Sequence, residues 1–336
     1  MTYPERELTN PVDLCTEGGT LNPNAVGWSR RPLHTCNLRG RHLRKKRWNY
    51  WCITTQDFLF SATISDIDYL GLAFVYFLDF KTGYFHEQTV STLLGRGFNL
   101  PPTAEGDVEF SSPKLKARFL GNAQGVKIEV DIPDFGGKPL KARVDVSRPQ
   151  NHETLNVVIP WSRRKFQFTS KQNTLPTTGS VQIGDTVYDA QGGFACLDLG
   201  RGIWPYSSFW NWAGASGVSG GHTIGLNFGA GWTDGTGMNE NGICIDGVLT
   251  KIHQDVAFVY DSKNLMAPWK LQTEDGQVDI TFVPFFQRTA KTDVWVLRSE
   301  VHQMIGRFSG TVTNDKGHKY AFQDIVGWAE EHFARW

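Results

Sequence analysis

The residues best suited to chemistry lie between Gly192 and Gly247, where carboxylates occur beside tryptophans and glycines. Asp198 follows an apolar run in FACLDLGRG, and Glu240 lies between asparagines in NENG. A carboxyl group in apolar surroundings has a raised pKa and can act as a general acid or base near neutral pH. We therefore predict Asp198 and Glu240 to be catalytic. Two alternatives stay open: Asp198 could fix a turn by binding Arg201 or the backbone, and Glu240 could be a solvent-exposed turn residue.

Aromatic side chains in the same stretch could form the wall of a ligand site. In an extended segment, residues two apart share one face of the strand. That spacing would put four aromatic residues on one face: Trp204, Tyr206, Trp210 and Trp212. We predict that these four, together with Arg201 and Trp232, bind a small molecule that is apolar or a glycan. The alternative is that the tryptophans belong to an ordinary core.

Other motifs in the chain carry weaker functional signals. Asp246 precedes Gly247, which indicates a tight type I′ hairpin turn. The glycines of GASGVSGG are not followed by the Lys-Ser/Thr of a phosphate-binding loop, and neither H-E-x-x-H nor G-x-S-x-G occurs. The five cysteines include no C-x-x-C pair, which argues against a zinc site and predicts free thiols in a cytoplasmic protein. We predict neither a metal nor a cofactor.

Charge is concentrated in the basic run RGRHLRKKRW, from Arg39 to Trp48. The run could contact nucleic acid, it could be a loop whose arginines pair with carboxylates elsewhere, or some arginines could bind an anionic ligand group. The whole chain has 34 Lys and Arg against 34 Asp and Glu, and this neutrality favours the loop interpretation. We predict no nucleic-acid partner. No apolar run reaches the roughly 18 residues of a transmembrane helix, and the oligomeric state is left open.

The elements that must position these residues are predicted to be β-strands. KLKARF, GVKIEVDI and PLKARVDV alternate with period two, which puts one face in a core and the other in water. WNYWCI, FLFSATISD and IDYLGLAFVYFLDF are rich in aromatic and β-branched residues. No strand–helix–strand alternation occurs, so we expect antiparallel sheets that curl into barrels or sandwiches. Only the C-terminal VGWAEEHFARW suggests a short helix.

Several long motifs resemble a known family: GWSRRPL, KRWNYW, DLGRGIWPYSSFWNWA and GLNFGAGWTDGTGMNENGICIDG. They resemble the domain-of-unknown-function 2804 family over the chain from about Gly27 to Trp336. That family implies no biochemical role. More distantly, the layout is similar to the tandem lipocalin-like proteins that include carotenoid hydratases. This second resemblance implies two packed antiparallel barrels, with acidic residues near their interface that protonate an alkene, and it assigns no residue of this chain.

We therefore predict an all-β protein of two antiparallel lipocalin-like β-barrels, or a barrel and sandwich pair, packed together. Residues 1–40 are expected to form an extended arm, because they are rich in Pro, Gly, Asn and Thr. Residues 41–175 would form the first barrel. Residues 176–336 would form the second barrel and carry the tryptophan- and glycine-rich stretch.

Three functions fit these patterns. The first is an enzyme of hydratase, isomerase or hydrolase type, in which Asp198 and Glu240 carry out acid–base chemistry on an apolar lipid, isoprenoid-like or glycan ligand. The second is a non-catalytic carrier of an apolar molecule. The third is a structural protein whose tryptophans all belong to the core. An enzyme requires perturbed carboxyl groups facing a cavity, whereas a carrier requires only the cavity.

Overall fold

The computed structural model describes residues 4–40, 42–122, 124–294 and 297–336. Within these ranges the strands pair antiparallel, except that Val12–Asp13 and His34–Thr35 pair in parallel. The same ranges contain one 3-10 turn, Pro23–Ala25, and no α-helix. The all-β prediction is confirmed. No helix among the described residues is long and apolar enough to cross a membrane. In chain order the strands are β1 (Val12–Asp13), β2 (Trp28–Ser29), β3 (His34–Thr35), β4 (Lys45–Thr54), β5 (Phe58–Asp66), β6 (Leu70–Asp79), β7 (Phe85–Leu93), β8 (Val108–Ser111), β9 (Lys116–Asn122), β10 (Gly125–Ile132), β11 (Leu140–Ser147), β12 (Leu155–Ser162), β13 (Lys165–Ile183), β14 (Thr186–Asp189), β15 (Phe194–Ile203), β16 (Ser207–Ser219), β17 (His222–Ala230), β18 (Gly242–Ile245), β19 (Val248–Lys251), β20 (Ala257–Val259), β21 (Trp269–Gln272), β22 (Val278–Val294), β23 (Leu297–Thr313) and β24 (Lys319–Arg335).

Two large sheets make up the body of the protein. The first runs β7-β6-β5-β4-β15-β13-β11-β10-β9-β8, with β12 and β14 pairing with β13, and β2 pairing with β12. The long strand β13 bends at a register shift between Gln172 and Leu175, where Thr174 has a φ of 57°. This bend lets one strand serve both halves of a curled sheet. The second sheet runs β19-β18-β17-β16-β24-β23-β22-β21-β20.

The strand β24 occupies the centre of the second sheet, between β16 and β23. It contains the segment for which the sequence suggested a short helix, so that prediction is wrong. Ala and Glu favour helices in isolation. Here Phe333 faces Phe209 on one side and Glu300 on the other, and these two ladders override the local preference.

Alternating side chains divide the interior into three layers. In β4, Trp51 and Ile53 point into the core of the first sheet, whereas Tyr50 and Cys52 point toward the second sheet. The second sheet has its own core, which includes Phe282. The third layer lies between the two sheets, and its buried members are Tyr50, Cys52, Leu59, Tyr76, Leu78, Cys196, Trp212, Ile305 and Trp328. The two curled antiparallel sheets thus pack together in the manner of tandem lipocalin-like half-barrels.

The change from one sheet to the other falls between Ile203 and Ser207. The strand β15 pairs with β4 and β13, so it belongs to the first sheet. The expected domain boundary at 175/176 lies inside β13 and therefore does not coincide with sheet membership. Residues 4–40, where an extended arm is predicted, contain three two-residue strands and the single 3-10 turn. The arm reaches the second sheet, where Glu5 Oε1 lies 3.1 Å from Lys251 Nζ.

The basic run leads into β4, and its charges pair with carboxylates of the neighbouring turn. Arg47 Nη2 lies 2.5 Å from Asp66 Oδ2 and 3.1 Å from Asp68 Oδ1, and Lys45 also pairs with Asp68. Arg41 lies outside the described residues. These contacts agree with the interpretation of the run as a loop that enters a strand.

Two further predictions concern the hairpin turn at Asp246–Gly247 and the state of the cysteines. Asp246 and Gly247 have φ values of 52° and 81°, and positive φ at both positions is the signature of the predicted type I′ turn. All five cysteines are free and buried.

Candidate functional site

A cavity of about 280 Å³ lies between the two sheets. Strands β4–β7, β13 and β15 of the first sheet form one wall, and β16 and β22–β24 of the second sheet form the other. Six tryptophans line it: Trp48, Trp204, Trp210, Trp212, Trp232 and Trp336. Four of these are the tryptophans that the sequence pointed to. Flat aromatic walls with a few convergent polar groups are typical of small-molecule sites.

Asp198 and Glu240 both line this cavity, and Lys171 lies between them. Lys171 Nζ is 2.9 Å from Asp198 Oδ1 and 3.1 Å from Glu240 Oε2. We call these three residues the lysine triad. Asp198 does not pair with Arg201, and Glu240 is only 1% exposed, so neither alternative for these carboxylates holds.

Strand register and one glycine build the lysine triad. Lys171 in β13 is directly opposite Asp198 in β15, so the two side chains emerge on the same face. Glu240 precedes β18 and lies over Gly229 of β17. A Cβ atom at Gly229 would overlap Glu240 Oε1, so only glycine leaves room for the carboxylate.

Indole N–H groups add hydrogen bonds to the triad, and Thr169 Oγ1 also donates to Asp198 Oδ1 at 3.2 Å. Trp48 Nε1 donates to Asp198 Oδ2 at 3.1 Å, and Trp232 Nε1 donates to Glu240 Oε1 at 2.9 Å. Burial would lower the pKa of Lys171, but the charges of Asp198 and Glu240 outweigh burial and raise it, so the ammonium stays charged. Burial raises the pKa of Glu240, while the Lys171 charge opposes that rise. The triad therefore holds its lysine charged near neutral pH.

A third carboxyl group, Glu330 of β24, lines the cavity in a different setting. Trp210 Nε1 donates to Glu330 Oε1 at 3.1 Å, and Gln303 Nε2 donates to Oε2 at 3.2 Å. Tyr76 OH donates to Gln303 Oε1 at 2.7 Å, and Tyr50 OH lies 2.7 Å from Tyr76 OH. We call this chain the Glu330 network. Burial raises the pKa of Glu330 to about 7, because both direct donors are neutral.

Other polar side chains of the cavity are already engaged. Arg288 Nε and Nη2 donate to the two oxygens of Glu87 at 2.9 and 2.8 Å, a bidentate arrangement. His332 Nε2 lies 2.8 Å from Ser299 Oγ. Burial lowers the pKa of His332 to about 3, so this imidazole is neutral.

Two residues predicted for the site lie elsewhere. Arg201, 1% exposed, donates to the backbone oxygens of Trp48, Gly200 and Pro101 and to Asn49 Oδ1. Because Arg201 is three residues from Asp198, it lies on the other face of β15 and ties strands together. Tyr206 is 49% exposed and absent from the cavity wall. The chain passes between the sheets there, so the extended geometry assumed for the shared face is lost.

Lys171 and Glu330 line the cavity but were not among the residues predicted from the sequence. Lys171 lies in FTSKQNT, where polar residues hide the fact that the strand is buried. Glu330 was missed because its segment suggested a helix. With a period of two, Trp328, Glu330 and His332 share one face, and this alternation was the available signal. In the described part of the chain, no cluster of three or more His, Cys, Asp or Glu residues could hold a metal ion.

The chain belongs to the DUF2804 family, a domain of unknown function, whose family model matches residues 5–336. This match confirms the resemblance seen in the sequence motifs. No curated protein matches the chain.

Several solved structures share the fold. One is a putative AttH from Nitrosomonas europaea, 12% identical, which covers 86% of this chain and 92% of its own with a TM-score of 0.53. Another is CghA with Sch210972, 10% identical, covering 87% of this chain and 89% of its own with a TM-score of 0.53. Kievitone hydratase from Nectria haematococca is 11% identical, covers 100% and 98% of the two chains, and has a TM-score of 0.49. At such identities the first two likenesses show a common fold.

Proposed function

We propose that this protein is an enzyme that uses carboxyl groups for acid–base chemistry on an apolar small molecule held between its two sheets. The observation that carries the proposal is the convergence of two buried carboxyl side chains and one partly buried carboxyl side chain on one tryptophan-lined cavity. These side chains are Asp198, Glu240 and Glu330. Buried carboxyl groups are costly, and their concentration in a cavity is more typical of catalysis than of ligand storage.

The environments of the carboxyl groups suggest different roles. Glu330 has a pKa of about 7, so it holds a proton for much of the time near neutral pH and can donate it as a general acid. Asp198 and Glu240 both contact the ammonium of Lys171, whose charge opposes the rise that burial causes in the pKa of Glu240. An ionised carboxylate there can accept a proton from the ligand or from water. A donor and an acceptor facing one cavity are what a hydratase, an isomerase or a hydrolase requires.

The aromatic lining supports an apolar ligand. Tryptophan rings offer a large flat contact area, and the cavity volume of about 280 Å³ suits a small molecule. A solved structure of this fold is that of CghA with Sch210972. A glycan would also stack on tryptophan but needs more polar partners than this wall has free.

The alternative function is a non-catalytic carrier, for which the aromatic cavity alone would be sufficient. A carrier has no use for a carboxyl group that changes protonation near pH 7. The raised pKa of Glu330 therefore favours the enzyme.

The proposal also includes the cellular setting. Five free, buried thiols fit a reducing compartment, the cytoplasm. The ion pairs of Lys45 and Arg47 with Asp66 and Asp68 leave less of the basic run available for phosphates, which supports a small-molecule partner over nucleic acid.

The test begins with the apolar molecules that co-purify with the full chain, identified by mass spectrometry. Each is incubated with the protein in D2O, and its conversion or deuterium uptake at carbon is measured. We expect the wild-type protein to convert or label at least one molecule. Glu330→Gln should slow this by about 100-fold or more while still binding the molecule. Glu331→Gln is the matched control, because Glu331 is on the opposite face of β24 and accepts from Tyr260. If the wild-type protein binds these molecules but neither converts nor labels them, the enzyme proposal is wrong and the carrier function remains.

A further inference from the structure

We infer that the cavity between the sheets excludes anionic ligands and takes an apolar molecule that carries no negative charge. This inference rests on the proposed function and deepens it by naming the class of ligand. It depends on how the charges on the cavity wall are distributed and on which of them are already paired.

The cavity wall carries more acidic than basic groups. Its carboxyl groups are Glu87, Asp198, Glu240 and Glu330. Its cations are Lys171 and Arg288, and its one histidine, His332, is neutral. With Glu330 protonated, two positive and three negative groups give 2 − 3 = −1; with Glu330 ionised, the sum is −2. The wall is negative in either state.

Both cations on the wall are already paired with carboxylates. Lys171 Nζ already contacts two carboxylates at 2.9 and 3.1 Å, and it lies 4.3 Å from the centroid of the Trp212 ring. These three neighbours match the three hydrogens that an ammonium group can donate. A ligand anion would have to displace Asp198 or Glu240, each of which is itself held by an indole.

Arg288 is engaged in the same way from the second sheet. Its Nε and Nη2 donate to both oxygens of Glu87, and the guanidinium carbon lies 4.4 Å from the centroid of the Tyr76 ring. The side of the guanidinium formed by Nε and Nη2, which binds a carboxylate through two hydrogen bonds, is therefore already occupied. Glu87 comes from β7, so this ion pair links the two sheets across the cavity.

Lys46 is a further buried cation near the cavity. Its Nζ lies 5.3 Å from the ring of Trp336, a lining residue, and 4.4 Å from the ring of Tyr69. Lys46 itself is not on the wall, since its ammonium points to the backbone oxygen of Ile67 at 3.4 Å. Lys46 lies behind these aromatic side chains, so the binding experiment below includes a variant of Lys46.

These contacts predict a preference by sign of charge. A ligand anion in the cavity meets carboxylates in surroundings of low polarity, where repulsion is stronger than in water. A cation of the same shape meets the same carboxylates and the faces of indole rings, both of which attract it. Moving a charge of either sign into the cavity costs desolvation free energy. Comparing the binding of a cation with the binding of an anion therefore isolates the effect of the charges on the cavity wall.

The test measures binding of three ten-carbon probes to the full chain at pH 7.5 by calorimetry: decan-1-ol, decylammonium and decanoate. We expect both decan-1-ol and decylammonium to bind at least about tenfold more tightly than decanoate. Glu87→Gln should leave Arg288 unpaired and improve decanoate binding about tenfold, with little change for decan-1-ol. Glu331→Gln, on the opposite face of β24, should bind all three probes like the wild-type protein.

Three results would overturn the inference. The first is decanoate binding as tightly as decylammonium. The second is tight decanoate binding that Lys46→Met abolishes, which would make the surroundings of Lys46 an anion site. The third is failure of all three probes to bind. The deuterium experiment is independent, because a protein that follows the expected order of probes and performs no chemistry would refute the enzyme and keep the ligand class.

Discussion

The lysine triad and the Glu330 network bring carboxyl groups to one cavity and hold them in different settings. Asp198 and Glu240 share the charged Lys171, whereas Glu330 receives hydrogen bonds only from the neutral Trp210 and Gln303. Each of the three carboxyl groups also accepts an indole N–H. Because this feature is common to both clusters, the presence of a cation is what separates them.

The difference shows how one cavity can hold a proton donor and a proton acceptor together. A cation within hydrogen-bond distance stabilises the ionised form, and burial without such a cation stabilises the protonated form. Strand register decides which case applies, since Lys171 is opposite Asp198. Three changes would break or sharpen this contrast, and they are taken from the largest expected effect to the smallest.

Lys171→Met should have the largest effect on stability. It leaves two buried carboxylates without their shared cation, which typically costs about 3–5 kcal/mol in the free energy of unfolding. Urea denaturation at pH 7.5 measures this loss. Lys165→Met, at the exposed start of the same strand, is the control and should change stability by less than about 0.5 kcal/mol. Equal, small losses in both variants would mean that the triad is not a coupled unit.

Glu330→Gln should alter how stability depends on pH. Burial raises the pKa of Glu330 from 4.5 to about 7, so the folded protein binds this proton more tightly than the unfolded chain does. The resulting stabilisation is complete below about pH 4.5 and is lost as the pH rises through 7. The Glu330→Gln side chain does not ionise, so the variant does not lose stability in this way as the pH rises. Above pH 7 its free energy of unfolding should exceed that of the wild-type protein by roughly 3 kcal/mol.

Urea denaturation between pH 4 and pH 8 follows this difference. The two curves should converge at the acid end and separate between pH 4.5 and 7. The other ionisable groups near Glu330 are kept in both proteins, so their contributions largely cancel: Tyr50, Tyr76, Glu87, Lys171, Asp198, Arg288 and His332. Glu331→Gln should show no such separation. A constant offset for Glu330→Gln at every pH would place its pKa near the ordinary value.

Gly229→Ala should have the smallest of the three effects. The added methyl would overlap the Glu240 carboxylate, and overpacking of this kind costs about 1–3 kcal/mol. The same substitution in combination with Glu240→Ala should cost much less, because the clashing group is gone. Gly18→Ala is a control in open space, where Thr16 Oγ1 at 3.9 Å is the nearest atom. Equal losses in the single and double variants would exclude Glu240 as the cause.

Much of the fold could be predicted from the sequence, because period-two alternation is a local signal. The alternation in KLKARF and PLKARVDV appears as β9 and β11, whose buried and exposed residues alternate. The change of sheet after β15 could not be predicted in the same way. It depends on the pairing of β15 with β4, about 150 residues earlier in the chain, and no local pattern specifies that pairing.

The site was predictable where local composition marks it. The density of tryptophan and glycine around Asp198 and Glu240 led to the correct cavity wall. Lys171 and Glu330 come from distant strands with no unusual composition. Only the pairing register of those strands places the two side chains at the cavity. Tyr206 shows the converse failure, since even spacing in sequence gives a shared face only where the backbone stays extended.

The ribosome delivers β24 last among the described strands, although this strand lies at the centre of the second sheet. Ser207 of β16 pairs with Arg335, so one whole edge of β16 stays unpaired while the residues between them are synthesised. Chains dominated by such distant pairings fold slowly. During synthesis that edge and the indoles of Trp210 and Trp212 are open to solvent and to other chains, which is a situation that favours aggregation and recruits chaperones. The strand that brings Glu330 to the cavity is therefore also the strand that ends the vulnerable period of the nascent protein.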